Sequence, residues 1–295
     1  MPELPEVETV RVGLSRLLPN QKILDTWHDW SKSFPNAQSD VEAFMLGAKI
    51  TTVRRRAKVL LIDLDTDYSL VIHLKMTGQM VYRSKKNNTN FGAGHPNDSL
   101  IGELPDRSTR VVLTLEDGKL FFNDQRKFGW MRLIPTIEIP ELDFFKRVGP
   151  EPLAADFSAE HFIERLERRK NSGIKAVLLD QTVIAGVGNI YADESLWGAR
   201  IHPNELVRDV PKSRLKLLFS ELQLVLQLAI EKGGSTDKNY VNAEGKKGSY
   251  MDFARVFRRE KLPCPRCGTT IEKSRVAGRG THTCPACQVI QRKVV

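Results

Sequence analysis

The sequence predicts an α+β protein of several domains: a β-rich N-terminal part behind a leading helix, a helical middle, and a small cysteine-bound ribbon at the C-terminal end. Three observations predict it. Short apolar, β-branched runs recur between residues 50 and 122. Helical apolar spacing takes over beyond residue 157. All four cysteines fall late, as Cys264-x-x-Cys267 and Cys284-x-x-Cys287. A chain of 295 residues exceeds one small core, and composition shifts suggest boundaries near residues 135 and 252.

In chain order, Val7, Val10, Leu14, Leu17 and Leu18 recur at helical spacing over residues 5–18, with Pro5 suited to a first turn. Strands are predicted at 50–56, 59–64, 70–74, 111–115 and 120–122, with 116–119 as a hairpin connection. These strands predict a two-layer β-sandwich or flattened barrel with the first helix against it. Residues 84–107 are polar and rich in Gly and Asn, and are expected to form a long, mobile surface loop. Helices are predicted at 157–169, 174–179, 190–198 and 215–230, the last ended by Gly233-Gly234. Between the second and third, Gly186-Val187-Gly188-Asn189 places backbone N–H groups at a helix start, a seat for phosphate or simply a tightly packed turn. Residues 276–281, between the cysteine pairs, are expected to form the tip of a β-hairpin carrying Arg279 between glycines. An arginine placed there suits a nucleic-acid groove and equally an ordinary surface.

A net charge of +9 and a pI near 9.4 favour a polyanionic partner. No apolar run is long enough to span a bilayer, and the acidic start does not resemble a signal peptide, so a soluble cytoplasmic protein is expected. In a reducing compartment, two Cys-x-x-Cys pairs indicate one structural Zn2+ rather than disulfides.

The first six residues, Met1-Pro2-Glu3-Leu4-Pro5-Glu6, carry the chemistry. A small residue behind the initiator methionine permits its removal, so a mature chain beginning at Pro2 is expected. Its secondary amine, with a reference pKa of about 8, is a better nucleophile at neutral pH than a lysine near 10.4. The adjacent Glu3 can manage proton transfers, and the positive end of the following helix disfavours the ammonium form. The same composition also suits a merely frayed terminus. Lys58 closes the cluster Arg54-Arg55-Arg56-Ala57-Lys58, which protects a strand edge or, held by the buried-looking Val59-Leu60-Leu61-Ile62, presents a lysine of limited freedom.

Assembled, these stretches resemble the bacterial formamidopyrimidine-DNA glycosylase family nearly end to end. The carriers are Met1-Pro-Glu-Leu-Pro-Glu-Val-Glu-Thr9, Arg55-Arg-Ala-Lys58, His73-Leu-Lys-Met-Thr-Gly78, Asp124-Gln-Arg-Lys-Phe-Gly129, Gly149-Pro-Glu-Pro-Leu153, Gly186-Val-Gly-Asn-Ile-Tyr191 and the cysteine quartet with Arg279. The resemblance implies a monomeric base-excision repair enzyme acting on damaged duplex DNA, organised as a catalytic β-sandwich (1–135), a helix-two-turn-helix domain (136–252) and a zinc ribbon (253–295). It implies that Pro2 attacks the sugar C1′, that Glu3 serves as acid and base on the sugar, and that Lys58 and then Arg279 donate protons in two strand-breaking eliminations. It assigns Met76, Arg126 and Phe128 to fill the space left by the extruded base, Lys170 and Asn189 to phosphates, and residues 233–252 to a loop closing over that base. Without it, Met76 and Phe128 read as core residues.

The chain departs from the family pattern at Ser108-Thr109-Arg110-Val111, where the family has His-Asp-His-Val; Arg110 is a candidate replacement for the lost histidine contact. Thr236-Asp237-Lys238-Asn239 and Arg258-Arg259-Glu260-Lys261 also differ, which bears on lesion preference. Two alternatives stand beside this reading. One is the sister glycosylase for oxidised pyrimidines, disfavoured by Leu4 where that group has Gly. The other is a non-catalytic zinc-ribbon DNA-binding module, which needs no combination of Pro2, Glu3 and Lys58.

Overall fold

The computed structural model describes residues 2–86, 89–235 and 249–290, and the chain divides into two compact units: Met1–Lys146 with Ile230–Ser249, and Arg147–Ala229 with Tyr250–Val295. In the first unit, α1 (Leu4–Ser15) precedes β1 (Ile23–His28), a short helical turn α2 (Gln38–Asp40), and eight further strands. These are β2 (Ile50–Arg56), β3 (Val59–Leu64), β4 (Tyr68–His73), β5 (Gly78–Ser84), β6 (Asn90–Gly94), β7 (Thr109–Leu115), β8 (Gly118–Asp124) and β9 (Trp130–Pro135); α3 (Asp143–Arg147) follows them. Two antiparallel sheets result, ordered β1-β7-β8-β5-β6 and β2-β3-β4-β9.

Side-chain alternation explains how they pack. Along β3, Leu60, Ile62 and Leu64 enter the central core, which also takes Val7, Val10 and Leu14 of α1 and Leu120 and Phe122 of β8. Val59 and Leu61 point the other way, into a second cluster with Val71 and Ile139. Burial on both sides leaves β3 apolar from Val59 to Ile62, which is why it is legible in the sequence. β2 and β3 occupy the expected spans, β4 starts earlier than expected and ends at His73, and β7 and β8 are longer than expected.

The expectation of a loop over 84–107 is corrected. Within it, β6 pairs with β5, burying Phe91 and Ala93 in the central core, while Leu100 joins Val81, Val112 and Phe121 on the outer face of the five-stranded sheet. A few apolar residues spaced through a polar segment suffice to cover that face. Strands β1, β5, β6 and β9 have no counterpart among the expected elements; in β1, β5 and β6 polar residues or glycine hide the alternation.

The second unit contains α4 (Ala159–Glu167), α5 (Ile174–Leu179), α6 (Asn189–Gly198), most of α7 (Lys212–Glu231), and the hairpin β10 (Glu272–Val276) with β11 (Arg279–Thr283). The helices surround a core including Phe162, Leu166, Tyr191, Leu222 and Leu226. Ser158 caps α4 by accepting the His161 N–H at 3.2 Å. Among the described residues, no helix is long and apolar enough to cross a membrane.

Candidate active site and nucleic-acid interface

Glu3 is the N-cap residue of α1, and the Glu6 carboxylate accepts its backbone N–H at 2.8 Å in a capping box. Pro2 and Glu3 are both buried. Capping leaves the helix start ordered, and Glu3, the residue next to the candidate nucleophile, is held through its backbone N–H and carbonyl. The second Glu6 oxygen accepts the Ser235 N–H at 2.7 Å, and a Cβ on Gly234 would stand 3.1 Å from Glu6 Cγ. Glu6 thus joins the helix start to the root of the segment expected to close over an extruded base. Residues 236–248 of that segment, including Thr236 to Asn239, lie outside the described residues. Glu6 was missed as a functional candidate, although a glutamate at the third helical position is one half of a capping box.

Lys58 sits at the tight turn between β2 and β3, beside Ala57 at φ +54, and is 6% exposed. Arg55 clamps that turn to α1. Its Nε donates to Glu8 at 2.9 Å and its Nη1 to the Ala57 carbonyl at 2.8 Å, while Arg11 donates to the same Glu8 at 2.7 Å. Burial alone would raise the Glu8 pKa, but the two arginines outweigh it and hold the carboxyl below its usual value. Next along the sheet, His73 packs its ring against Trp130 and Phe144, and its Nδ1 accepts the Lys75 N–H at 3.0 Å. Burial, then the charges of Lys75 and Lys58, lowers its pKa to about 3, so the imidazole is neutral at physiological pH.

Met76 and Phe128 are not core residues: Met76 is partly buried and Phe128 is 53% exposed. Arg126 is exposed and lies over the Phe128 ring, 4.8 Å from its centroid. Arg110 does not supply a surface contact in place of the family's histidine. It is buried, donating to the Asp124 carbonyl at 2.8 Å and pairing with Asp29. Thr109 is buried where β7 pairs with β8, and the preceding Ser108 is buried too, its carbonyl accepting the Asp124 N–H at 2.7 Å.

In the second unit, Asn189 opens α6, and its Nδ2 donates to the Gly280 carbonyl at 2.9 Å. Its Oδ1 is buried and has no partner among the described residues, an acceptor left at a helix start. The preceding turn has Gly186 at φ +79 and is tied by Gln181, which accepts the Gly186 N–H at 2.9 Å. Arg279 is exposed at the hairpin tip, where Ala277 and Gly278 both have positive φ, as a two-residue turn of matching twist requires. Strand β11 is anchored from beneath. Lys175, fully buried, donates to Asp193 and to Thr281 Oγ1, each at 2.6 Å. Lys170 is exposed beyond α4, its carbonyl accepting the Arg208 N–H at 3.0 Å.

The four cysteines are free thiols whose Sγ atoms lie within 4.8 Å of one another, with separations of 4.0 Å for Cys264–Cys287 and 3.5 Å for Cys267–Cys284. Tetrahedral Zn–S bonds of about 2.3 Å require sulfurs about 3.8 Å apart. The donor set therefore fits one structural zinc, and Cys264, Cys267, Cys284 and Cys287 would hold it.

Comparison with known proteins agrees with this geometry. Residues 1–131 match the formamidopyrimidine-DNA glycosylase N-terminal domain model, 148–240 the formamidopyrimidine-DNA glycosylase H2TH domain, and 261–289 a zinc finger found in FPG and IleRS. A formamidopyrimidine-DNA glycosylase of Pediococcus pentosaceus is 42% identical over 293 residues, 99% of this chain and 100% of that one. The chain is similar to a Lactococcus lactis FPG mutant solved with Fapy-dG-containing DNA, with TM-score 0.85, 34% identity, and coverage of 98% of this chain and 100% of that one. It is also similar to MutM solved with carbocyclic 8-oxo-G-containing DNA, with TM-score 0.83, 34% identity, and the same coverage.

Proposed function

Since the chain belongs to the formamidopyrimidine-DNA glycosylase family, we propose that it excises oxidised purines from duplex DNA through an N-terminal proline at position 2, with Glu3, Lys58 and Arg279 completing the chemistry. It is a base-excision repair enzyme with both glycosylase and strand-lyase activity, acting as a single chain on DNA containing formamidopyrimidine or 8-oxoguanine. One structural zinc supports its ribbon. The cytoplasm, where bacterial DNA and reducing thiol buffers coexist, is its proposed location.

The Pro2 nitrogen attacks C1′ of the damaged nucleotide, the C1′–N bond breaks, and the base leaves with that electron pair and a proton. The Pro2 nitrogen gives up its proton, the C1′–O4′ bond breaks as Glu3 protonates O4′, and the iminium so formed is an electron sink. Loss of a C2′ proton then expels the 3′ oxygen, and a second elimination expels the 5′ oxygen. Glu3 moves protons on the sugar, Lys58 donates to the first departing group and Arg279 to the second. Met76, Arg126 and Phe128 fill the vacated stack, which costs a few kcal/mol to open. Lys170 and Asn189 hold phosphates. Residues 1–135, 136–252 and 253–295 serve as catalytic, helix-two-turn-helix and zinc-ribbon parts, with 233–252 closing over the base.

The observation carrying this reading is the buried, capped start of α1, clamped through Glu8 and Arg55 to the turn that bears Lys58. Borohydride reduction during reaction with oxoguanine duplex should yield one covalent protein–DNA adduct, mapped to Pro2. A fully active chain whose intact mass retains Met1 would overturn the assignment.

A further inference from the structure

The two turns that carry Met76 and Phe128 share an uncommon backbone. Met76 follows Lys75 at φ +50, and Phe128 follows Lys127 at φ +57. Side-chain-bearing residues adopt such values only when their surroundings hold them. One buried side chain reaches both turns. Asp124, 0% exposed at the end of β8, accepts from Thr77 Oγ1 and the Arg126 N–H (3.2 Å) with Oδ1, and from the Phe128 (2.8 Å) and Gly129 (2.6 Å) N–H groups with Oδ2. Thr77 Oγ1 also accepts the Arg126 N–H at 3.1 Å, joining the turns directly. Gly129 is where the carboxyl approaches most closely; a Cβ there would stand 3.1 Å from Oδ2 and 2.6 Å from Phe122 Cζ.

We propose that Asp124, with Thr77 as its partner, is the positioning residue that sets Met76, Arg126 and Phe128 in register for entry into the base stack. The proposal rests on the assignment of those three residues to the gap. An aspartate suits the position because both its oxygens accept. An asparagine must turn its amide N–H groups toward the Thr77 and Arg126 donors or toward the Phe128 and Gly129 donors, so one turn is released. A displacement of about 1 Å in a positioned group can cost about 100-fold in rate. The expected loss of base excision in Asp124→Asn is therefore about 10-fold to 100-fold.

The test compares Asp124→Asn, Thr77→Val and Thr77→Ser with Met76→Ala and Phe128→Ala in three measurements: single-turnover excision of oxoguanine, cleavage of a preformed abasic site, and fluorescence of 2-aminopurine beside the lesion, which reports unstacking. Asp124→Asn and Thr77→Val should slow oxoguanine excision and diminish the fluorescence rise while abasic cleavage stays within about threefold, since no base must be expelled there. Thr77→Ser, which keeps the hydroxyl, should behave as the parent. If Met76→Ala and Phe128→Ala leave the fluorescence unchanged, the gap-filling assignment itself fails. If they diminish it while Asp124→Asn and Thr77→Val do not, or if these variants lose both activities equally, the positioning role is overturned. Should Asp124→Asn fail to fold, the Thr77 pair decides alone.

Discussion

His73 provides a quantitative test of the electrostatics around Lys58. Its folded pKa of about 3 lies far below the unfolded value near 6.5, because the ring is buried and then because Lys75 and Lys58 are close. The unfolded chain takes up a proton that the folded state refuses. The stability contribution is therefore fully present above pH 6.5 and is lost as pH falls toward 3. At about 1.4 kcal/mol per unit, lowering the pH from 7.5 to 4.5 should remove about 2.5 kcal/mol through this one group. In His73→Asn the amide oxygen can replace Nδ1 as acceptor for the Lys75 N–H without binding a proton. Urea unfolding at both pH values, followed by tryptophan fluorescence, should show the parent losing about 2.5 kcal/mol more than His73→Asn; all other titrating groups cancel in the comparison. The His73 Cε1 proton resonance should likewise stay unshifted down to pH 4.5. Equal losses in the two proteins, or a resonance midpoint near the unperturbed value, would refute the argument.

Arg55→Ala should destabilise the first unit by about 1–3 kcal/mol, since it removes the donor to Glu8 and to the Ala57 carbonyl. Arg55→Lys should not restore it, because a single ammonium cannot reproduce two separate N–H directions; thermal unfolding and borohydride-trapping yield are the checks. Stripping zinc with a chelator should unfold the ribbon and weaken DNA binding, restored on adding Zn2+, as read by circular dichroism and by titration with labelled duplex. Gly78→Ala should cost about 2 kcal/mol or more, because the new Cβ would stand 2.6 Å from Leu74 Cα and 2.8 Å from its carbonyl carbon, backbone that cannot yield cheaply. Denaturant unfolding measures it.

Much of the architecture was legible from spacing. β3 could be placed because Val59 to Ile62 are apolar on both faces, α5 because a compact apolar run lies between a glycine and a polar turn, and the zinc site because thiolate ligands come in Cys-x-x-Cys pairs. The segment 84–107 defeated the same reasoning. Its burial depends on four scattered apolar residues, Phe91, Ala93, Leu100 and Leu104, meeting partners on strands far away in the chain. Arg110 likewise reads as a surface cation until its ion-pair partner Asp29, 81 residues away, is beside it.

What the chain order alone determined, then, is composed of local facts: a proline behind the initiator methionine, the glutamate next to it, paired cysteines, and the run lengths of strands and helices. These depend on covalent neighbours and on the two short periods of regular backbone, so they survive without a partner segment. Tertiary structure alone decided the joining of distant parts: Glu6 to Ser235, Arg55 between Glu8 and the Lys58 turn, Asp124 between two strained turns, and Lys175 beneath the ribbon. Each is a buried polar group whose need for hydrogen bonds is met only from another element, and no local pattern encodes which element that will be.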